Sequence, residues 1–206
     1  HAVERAERAR RGLLSELLAP AMREGWRRVR LGDVVSFAGG YAFPERFQRG
    51  LAGDIPFFRV SDMNASANSV RMRGAAHHVT AADLGQMRAR AWPAGTVIFP
   101  KVGAALLTEK RRVLDVDAAF DNNILGLVPT EEIDSAYLLE VMRTVKLSTR
   151  AQPGAVPSIN QSHVADIPLL LPSRAEQRQV VEILGAFDSE IGAPKAVADQ
   201  ARELRK

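Results

Sequence analysis

The chain of 206 residues contains no cysteine, so it has no disulfide bonds and no thiolate ligands for zinc. We therefore expect a cytoplasmic protein, the default for a cysteine-free sequence. No apolar run approaches the roughly 18 residues that a membrane-spanning helix needs, and no signal peptide is visible. These absences favour a globular fold without a membrane segment.

The sequence also lacks the short motifs that mark common enzyme classes. It has no GxxxxGK[ST] phosphate loop, no GxGxxG dinucleotide pattern and no HExxH zinc pattern. It has no [DN]PP[YF] methyltransferase motif and no acidic residue followed two positions later by lysine, as many nucleases use to hold a metal. His77 and His78 are adjacent, so on a strand they point to opposite faces and do not share one metal ion. We predict no catalysis by this chain alone, no metal site and no cofactor.

Positive charge exceeds negative charge only slightly, since 28 basic residues face 24 acidic ones for a net charge of +4. The excess lies at the amino terminus, up to Arg30, but the neutral remainder is polarised along the chain. A basic stretch contains Arg88, Arg90, Lys101, Lys110, Arg111 and Arg112, with Glu109 among them. The acidic stretch that follows contains Asp115, Asp117, Asp121, Glu131, Glu132, Asp134 and Glu140. One edge of the domain is therefore expected to be positive and to suit nucleic acid, while an ordinary solvated surface is the alternative.

Hydrophobic patterns predict a mixed fold. The strand-like runs are VRLGDVVSF, IPFFRV, GTVIFP and NILGLV. Two helices are predicted between them: AADLGQMRARAW opens with a capping pair of Thr80 and Asp83, and SAYLLEVMRTVKL follows Asp134. Because strands and helices do not alternate regularly, the pattern indicates an α+β fold rather than a doubly wound sheet.

A short apolar strand leads directly into a long amphipathic helix near the carboxyl terminus. The strand is IPLLLP, and Ser173 with Glu176 forms the expected capping box of the helix. The apolar side chains of this helix recur at helical spacing, as in a helix that packs along another helix. They are Val180, Leu184, Phe187 and Ile191. Gly192 and Pro194 interrupt the pattern, so we expect a kink there and a second helical piece beyond it.

A second amphipathic helix is predicted at the amino terminus, up to about Leu18, with Pro20 ending it. Its apolar stripe, interrupted by Arg10, consists of Val3, Ala6, Leu13 and Leu17. We expect the two helices to form an antiparallel, coiled-coil-like spacer, and the same surfaces would also suit a homodimer. The predicted domains are a helix at 1–20, a mixed domain at 21–172 and a helix at 173–206.

Three stretches together resemble the specificity subunit of type I restriction-modification systems. GDIPFFRVSDMN, at residues 53–64, is similar to an early strand and loop of that family. AGTVIFPKVGAALLTEKRRV and AAFDNNILGLVP, at 94–113 and 118–129, are similar to its middle hairpin. PSINQSHVADIPLLLPSRAEQRQVVEILGAFD, at 157–188, is similar to the end of a target recognition domain that runs into a conserved spacer helix. The resemblance extends from Trp26 to the carboxyl terminus.

The resemblance implies a non-catalytic subunit that recognises a split target in double-stranded DNA. It also implies methyltransferase (modification) subunits and a restriction and translocase subunit as partners, which supply the S-adenosylmethionine and ATP chemistry. In that family a recognition domain and its spacer helix occur twice per chain. ARELRK at the carboxyl terminus echoes AERARR near the amino terminus, and the first residue is His1 rather than methionine. We therefore expect one such repeat unit, in a fragment or a processed chain.

Polar and planar side chains inside the resembling segments are candidates for DNA contact, because amide, guanidinium and hydroxyl groups read bases and basic groups bind phosphates. We predict contacts from Tyr41, Arg59, Ser61, Asn64, Lys101, Gly103, Asn122, Gln152, Ser158, Asn160 and Gln161. Alternatives stay open. Asn122 with Asn123 suits a turn, and Tyr41 within GGYAF suits a buried anchor. Asn160 and Gln161 suit the capping of backbone groups, which the resemblance favours because an INQ-like segment recurs in that family whatever the target.

Two functions of other classes remain open. The chain could be the recognition domain of a single-chain restriction-methylation enzyme, whose longer parent would carry a methyltransferase motif. It could instead be an assembly adaptor that pairs through its helices without binding DNA, in which case salt has no effect on DNA association.

Overall fold

The computed structural model describes residues 2–18, 25–152 and 154–203, and its fold is α+β, as the sequence predicts. The chain divides into two compact units. The helical unit consists of His1–Arg27 together with Leu170–Lys206, and the mixed unit is the intervening Arg28–Leu169.

The strands belong to three sheets. They are β1 (Arg27–Arg30), β2 (Val35–Gly39), β3 (Ile55–Phe58), β4 (Arg71–Met72), β5 (His77–Val79), β6 (Val97–Pro100), β7 (Arg112–Leu114), β8 (Ala119–Phe120), β9 (Ile124–Pro129) and β10 (Pro168–Leu171). The largest sheet has five strands in the order β2-β9-β6-β7-β4, and a second has three in the order β5-β3-β8. β1 and β10 form a two-stranded sheet.

Seven α-helices connect or flank these strands in the described part of the chain. They are α1 (Ala2–Leu17), α2 (Leu31–Val34), α3 (Ala81–Gln86), α4 (Gly103–Leu107), α5 (Ser135–Thr144), α6 (Gln161–Ala165) and α7 (Arg174–Glu203). Short 3-10 helices lie at Glu45–Phe47, Val60–Asn64, Ser66–Asn68 and Leu147–Arg150.

β6 is the central element of the mixed unit. It pairs antiparallel with both β7 and β9, and all four of its residues are buried. A continuous apolar run without alternation is typical of a strand that is covered on both faces. The apolar side chains from the two larger sheets form a common core, which includes Phe58, Met63, Met72, Trp92, Ile98, Leu114, Phe120 and Ile124.

Local side-chain chemistry fixes the helix starts that the sequence predicts. The Thr80 hydroxyl accepts the N–H of Asp83 at 3.1 Å, and the Asp83 carboxylate accepts the N–H of Thr80 at 2.9 Å. Ser173 and Glu176 make the same reciprocal pair at the start of α7. Each capping box satisfies backbone donors that have no partner inside the helix.

Several predicted elements are shorter in the structure; SAYLLEVMRTVKL, for example, is an α-helix only from Ser135 to Thr144. The run VRLGDVVSF is not one strand, because α2 separates β1 from β2. The predicted helix AADLGQMRARAW stops at Gln86, after which Arg88 adopts a φ of 51°. Trp92 instead exchanges backbone hydrogen bonds with Ala118, donating at 2.8 Å and accepting at 3.0 Å. A left-handed residue ends a helix and turns the chain, which frees the remaining residues to extend.

The helical unit is built on the pairing of α1 with α7. Val180 and Leu184 of α7 are buried, with 0% and 1% of their surfaces exposed, and Phe187 is half-buried. Arg10 of α1 binds Asp188 of α7 through two hydrogen bonds of 2.6 and 3.0 Å.

Among the α1 side chains that the structure describes, Leu14 is buried, at 2% exposed, and the predicted stripe residues Leu13 and Leu17 are half-buried. Arg10, which interrupts the predicted stripe, binds Asp188 of α7. The side chains of Val3, Ala6 and Ile191 lie outside the described part of the structure. Their predicted roles in helix packing stay predictions.

The carboxyl-terminal helix is not divided into two pieces, contrary to expectation. α7 runs as one helix from Arg174 to Glu203, through Gly192 and Pro194. A proline removes one backbone donor from a helix, and the hydrogen bonds of the flanking turns can still continue the helix. A change in axis direction at Pro194 stays a prediction.

The two ends of the mixed unit lie side by side. β1 and β10, which pair, are its first and last strands. Immediately inside them, the N–H of Leu31 donates to the carbonyl of Ile167 at 2.8 Å. Gly32 packs so closely against Ala165 that an added Cβ would lie 2.9 Å from the alanine Cβ. The first and last residues of the mixed unit are therefore held together by backbone hydrogen bonds.

Candidate nucleic-acid interface

Three of the predicted contact residues meet at one end of the five-stranded sheet, called the polar end below. Tyr41 follows the end of β2, Lys101 follows the end of β6, and Asn122 precedes the start of β9. β2 and β6 are both antiparallel to β9, with Gly39 opposite Leu125 and Pro100 opposite Ile124. The register therefore brings residues that are far apart in sequence to the same edge.

The buried carboxylate of Asp121 connects the turn before β9 to the loop after β3. It accepts the N–H of Asn123 at 2.8 Å and the N–H of Val60 at 3.2 Å. Burial raises its pKa, although these two hydrogen bonds and the nearby charge of Arg59 act in the opposite direction. Asn122 and Asn123, in the turn that follows, are exposed. The side chain that accepts a backbone hydrogen bond in this turn is that of Asp121.

Tyr41 is positioned by a close approach between two backbones. Its N–H donates to the carbonyl of Phe120 at 2.9 Å, and it forms a bridge with Asp121. A Cβ on Gly40 would lie 1.8 Å from the carbonyl oxygen of Asp121, so only glycine fits there. The tyrosine side chain is half-buried and packs against the core, an arrangement that agrees with an anchor and leaves part of its surface open.

The loop after β3 presents Arg59, Ser61 and Asn64. The Arg59 guanidinium donates to Gln48 at 3.2 Å, while Ser61 and Asn64 are exposed on the 3-10 helix. Two basic residues at the start of β7 hold this helix. Lys110, which precedes the strand, donates to the Asn64 side chain, and Arg112, its first residue, donates to the carbonyl of Met63 at 3.2 Å. Neither Lys110 nor Arg112 is among the predicted contact residues.

A second group of predicted residues is held by backbone hydrogen bonds around α4. Lys101 donates its N–H to Asn123 at 2.8 Å and accepts from Ile159 at 2.9 Å. Gly103, with a φ of 68°, donates to Pro157 at 2.7 Å, and Gln152 donates to Ser158 at 2.7 Å. The structure thus connects this group to the turn at Asn122 and Asn123, and it leaves the Gln152 side chain exposed.

Asn160 is the capping residue of α6. Its side-chain oxygen accepts the N–H of His163 at 2.9 Å and the hydroxyl of Ser162 at 2.8 Å. Gln161 is the exposed first residue of the same helix. The Asn160 side-chain oxygen therefore caps α6, which is one of the two roles that the sequence leaves open.

Charge is separated between the two ends of the sheet. β7 and β9 are both antiparallel to β6, so Lys101, Lys110 and Arg112 all lie near the polar end. The residues that follow β7 and β9 lie at the opposite end and are Asp115, Asp117, Glu131, Glu132 and Asp134. Arg71 and Arg73 bind Asp115 at 3.1 and 3.2 Å. The basic run was visible in the sequence, but its position opposite Lys101 depends on the strand register.

The described residues contain no cluster of three or more histidine, aspartate or glutamate side chains able to hold a metal ion. A search of the same residues for a helix both long and apolar enough to cross a membrane also finds none.

Comparison with known proteins places these features in a family. The model of the type I restriction modification DNA specificity domain matches residues 23–197. The chain is 20% identical over 168 residues to the type I restriction enzyme MjaIX specificity subunit of Methanocaldococcus jannaschii, covering 79% of this chain and 38% of that subunit.

Solved structures share the fold. A chain from a structural study of complex assembly and conformational transition of the type I R-M system superposes with a TM-score of 0.78 at 18% identity, covering 98% of this chain and 49% of its own. The HsdS subunit from Thermoanaerobacter tengcongensis gives 0.68 at 18% identity, with 94% and 46% covered. This chain therefore spans about half of these structures' length or less. Because the family model matches most of its residues, the chain belongs to the family of type I restriction modification DNA specificity domains.

Proposed function

We propose that this chain recognises a specific sequence in double-stranded DNA as the specificity subunit, or half of it, of a type I restriction-modification complex. In this role it carries no catalytic centre and directs methyltransferase and restriction subunits to a split target. The mixed unit reads the DNA, and the helices set the spacing between recognition domains. We propose spacer segments at 1–20 and 173–206 and a recognition domain at 21–172. The proposed compartment is the cytoplasm. Family membership and the names of the relatives support this role.

We propose the polar end as the surface that faces DNA. The observation that carries this assignment is the convergence of exposed amide and hydroxyl groups with basic residues from several separate segments. Asn122 and Gln152 are exposed near Lys101, and Asn64 is held by Lys110. Amides and hydroxyls suit base edges, and the lysines suit phosphates. The acidic residues at the opposite end would repel DNA, so the charge distribution orients the domain.

Lys101→Ala is expected to weaken binding to all duplexes by a similar factor. The unaltered chain, with roughly four to six phosphates neutralised, should lose affinity with salt at a log–log slope of about −4 to −5. Losing one phosphate contact should reduce the steepness of that slope by about one. Fluorescence anisotropy titrations at several salt concentrations measure both quantities.

Arg73→Ala is the matched control for Lys101→Ala, because it also removes one positive charge but from a side chain that binds Asp115. It should leave the salt slope unchanged. An unaltered chain whose association with DNA does not depend on salt would contradict the proposal and favour the assembly adaptor. Equal effects of the two variants would remove the polar end as the binding surface.

Arg59→Ala is expected to relax sequence preference at one position of the target by about 1 to 3 kcal/mol, the usual contribution of a guanidinium that reads guanine. The comparison is between a duplex that the unaltered chain selects from a random pool and single-base variants of that duplex. Equal losses on selected and random duplexes would place Arg59 on a phosphate or in the fold, where it already binds Gln48.

A further inference from the structure

An ion pair between the buried Arg111 and the half-buried Glu109 lies next to the polar end and takes no part in the contacts proposed for DNA. Arg111, only 2% exposed, donates from Nη2 to the carboxylate of Glu109 at 2.6 Å. The same nitrogen donates to the carbonyl of Val145 at 3.1 Å. Glu109 follows α4 and has a left-handed φ of 53°. The pair thus joins the end of α4 to the chain beyond α5.

The carboxylate of Glu109 also holds the start of the 3-10 helix Leu147–Arg150. It accepts the N–H of Leu147 at 3.1 Å and the N–H of Ser148 at 2.9 Å. Burial alone would raise the pKa of Glu109, but the hydrogen bonds from Ser148 and the charge of Arg111 outweigh it and lower the pKa. Glu109 is therefore ionised at neutral pH. The stability that it contributes is present above its ordinary pKa and is lost as the pH falls through the lowered one.

The segment held by Glu109 is the one that carries Gln152 and Ser158. It leaves the 3-10 helix at Arg150, and Ser158 accepts from Gln152 and forms a bridge with Val102. Its far end is fixed where Pro157 accepts the N–H of Gly103, the first residue of α4. The segment is thus tied to α4 twice, beside Gly103 and through Glu109.

We infer that Glu109 and Arg111 are positioning residues for DNA readout: they hold the segment that presents Gln152 and Ser158 in a fixed orientation against α4. The inference rests on the proposed DNA-binding function. An ion pair that takes a guanidinium out of water, as here with Arg111, adds little net stability, because the desolvation of that group offsets the attraction of the charges. Its two hydrogen bonds to backbone N–H groups, by contrast, restrict the orientation of a loop. The pair therefore acts on the geometry of readout rather than on affinity for phosphates.

The test measures three properties of Glu109→Gln in the whole chain at neutral pH. These are the ratio of affinities for a selected and a random duplex, the salt slope on the random duplex, and hydrogen exchange at the Leu147 and Ser148 amides. We expect the ratio to fall about tenfold, equivalent to one lost base contact. The salt slope should stay unchanged, and the two amides should exchange faster.

Two further variants keep this test decisive. Glu140→Gln is the matched control, since Glu140 is 7% exposed and binds Arg143 of the same helix at 2.7 Å. It should leave the affinity ratio unchanged. Glu109→Gln combined with Arg111→Met leaves no unpaired buried charge and should lower the ratio as the single variant does, even if the single variant is unstable.

An unchanged ratio in the double variant, or an equal fall in Glu140→Gln, would overturn the inference. Failure of the proposed function would look different: the unaltered chain would show no salt-dependent binding to any duplex. The amide exchange of Leu147 and Ser148 would still report whether Glu109 holds the segment.

Discussion

Replacing Val180 and Leu184 together by aspartate should melt the helical unit. Both side chains are buried, and the helix that carries them packs against α1. Removing a buried leucine alone costs about 2 to 5 kcal/mol, and an unpaired buried carboxylate adds a desolvation penalty. We expect lower helicity by circular dichroism and a lower melting temperature.

The matched control is Ile183→Asp with Ala186→Asp, which adds the same two charges to exposed positions of α7. It should change the melting temperature little, because exposed substitutions are usually within about 0.5 kcal/mol. If the two double variants melt alike, Val180 and Leu184 are not a packing seam and the helices do not act as a rigid spacer. Sedimentation of both variants beside the unaltered chain would report whether the same surface also holds a dimer.

Gly40→Ala should destabilise the mixed unit and disturb the polar end. The added methyl group would lie 1.8 Å from the carbonyl oxygen of Asp121 and 2.9 Å from that of Phe120, and neither is a flexible side chain. Overpacking of this kind costs about 1 to 3 kcal/mol, and more where backbone must move. The expected displacement separates Tyr41 from the turn at Asn122, so affinity for DNA should fall as well. Urea unfolding and DNA titration measure the two effects.

Gly39→Ala is the control for this glycine, since nothing lies within 4 Å of the position that its Cβ would occupy. An alanine within a strand is slightly more favourable than glycine, by about 0.5 to 1 kcal/mol. A free energy of unfolding that is the same for Gly40→Ala and Gly39→Ala would contradict the close approach between the loop and Asp121.

The features that the sequence predicts correctly are those determined within a few residues. The capping boxes at Thr80 and Ser173 each depend on a partner three positions away, so a local pattern is sufficient. The helix that begins after Asp134 is another such case, where the aspartate accepts the N–H of Ala136 at 2.9 Å. Helix ends are harder to predict, because the left-handed conformation of Arg88 has no strong signal in its residue type.

Long-range geometry accounts for what the sequence does not predict. The sequence offers Tyr41, Lys101 and Asn122 as candidate contacts, but their position at one end of the sheet depends on the pairing of β9 with β2 and β6. The sequence indicates Asp121 only as part of an acidic run, whereas the structure buries it between two loops. The sequence likewise indicates Glu109 only as one acidic residue among basic ones. Its partners at Val145 to Ser148 are separated from it by β7, β8, β9 and α5.

The adjacent ends of the mixed unit change the entropy of pairing α1 with α7. A flexible connection as long as the mixed unit would make closure of the helix pair unfavourable, with a cost that grows with the logarithm of its length. Since β1 pairs with β10, folding of the mixed unit shortens the effective length of the chain between the two helices. The difference in closure free energy is roughly 2 to 3 kcal/mol on the same scaling. Unfolding of the mixed unit would therefore weaken the helix pair by this amount through chain connectivity alone.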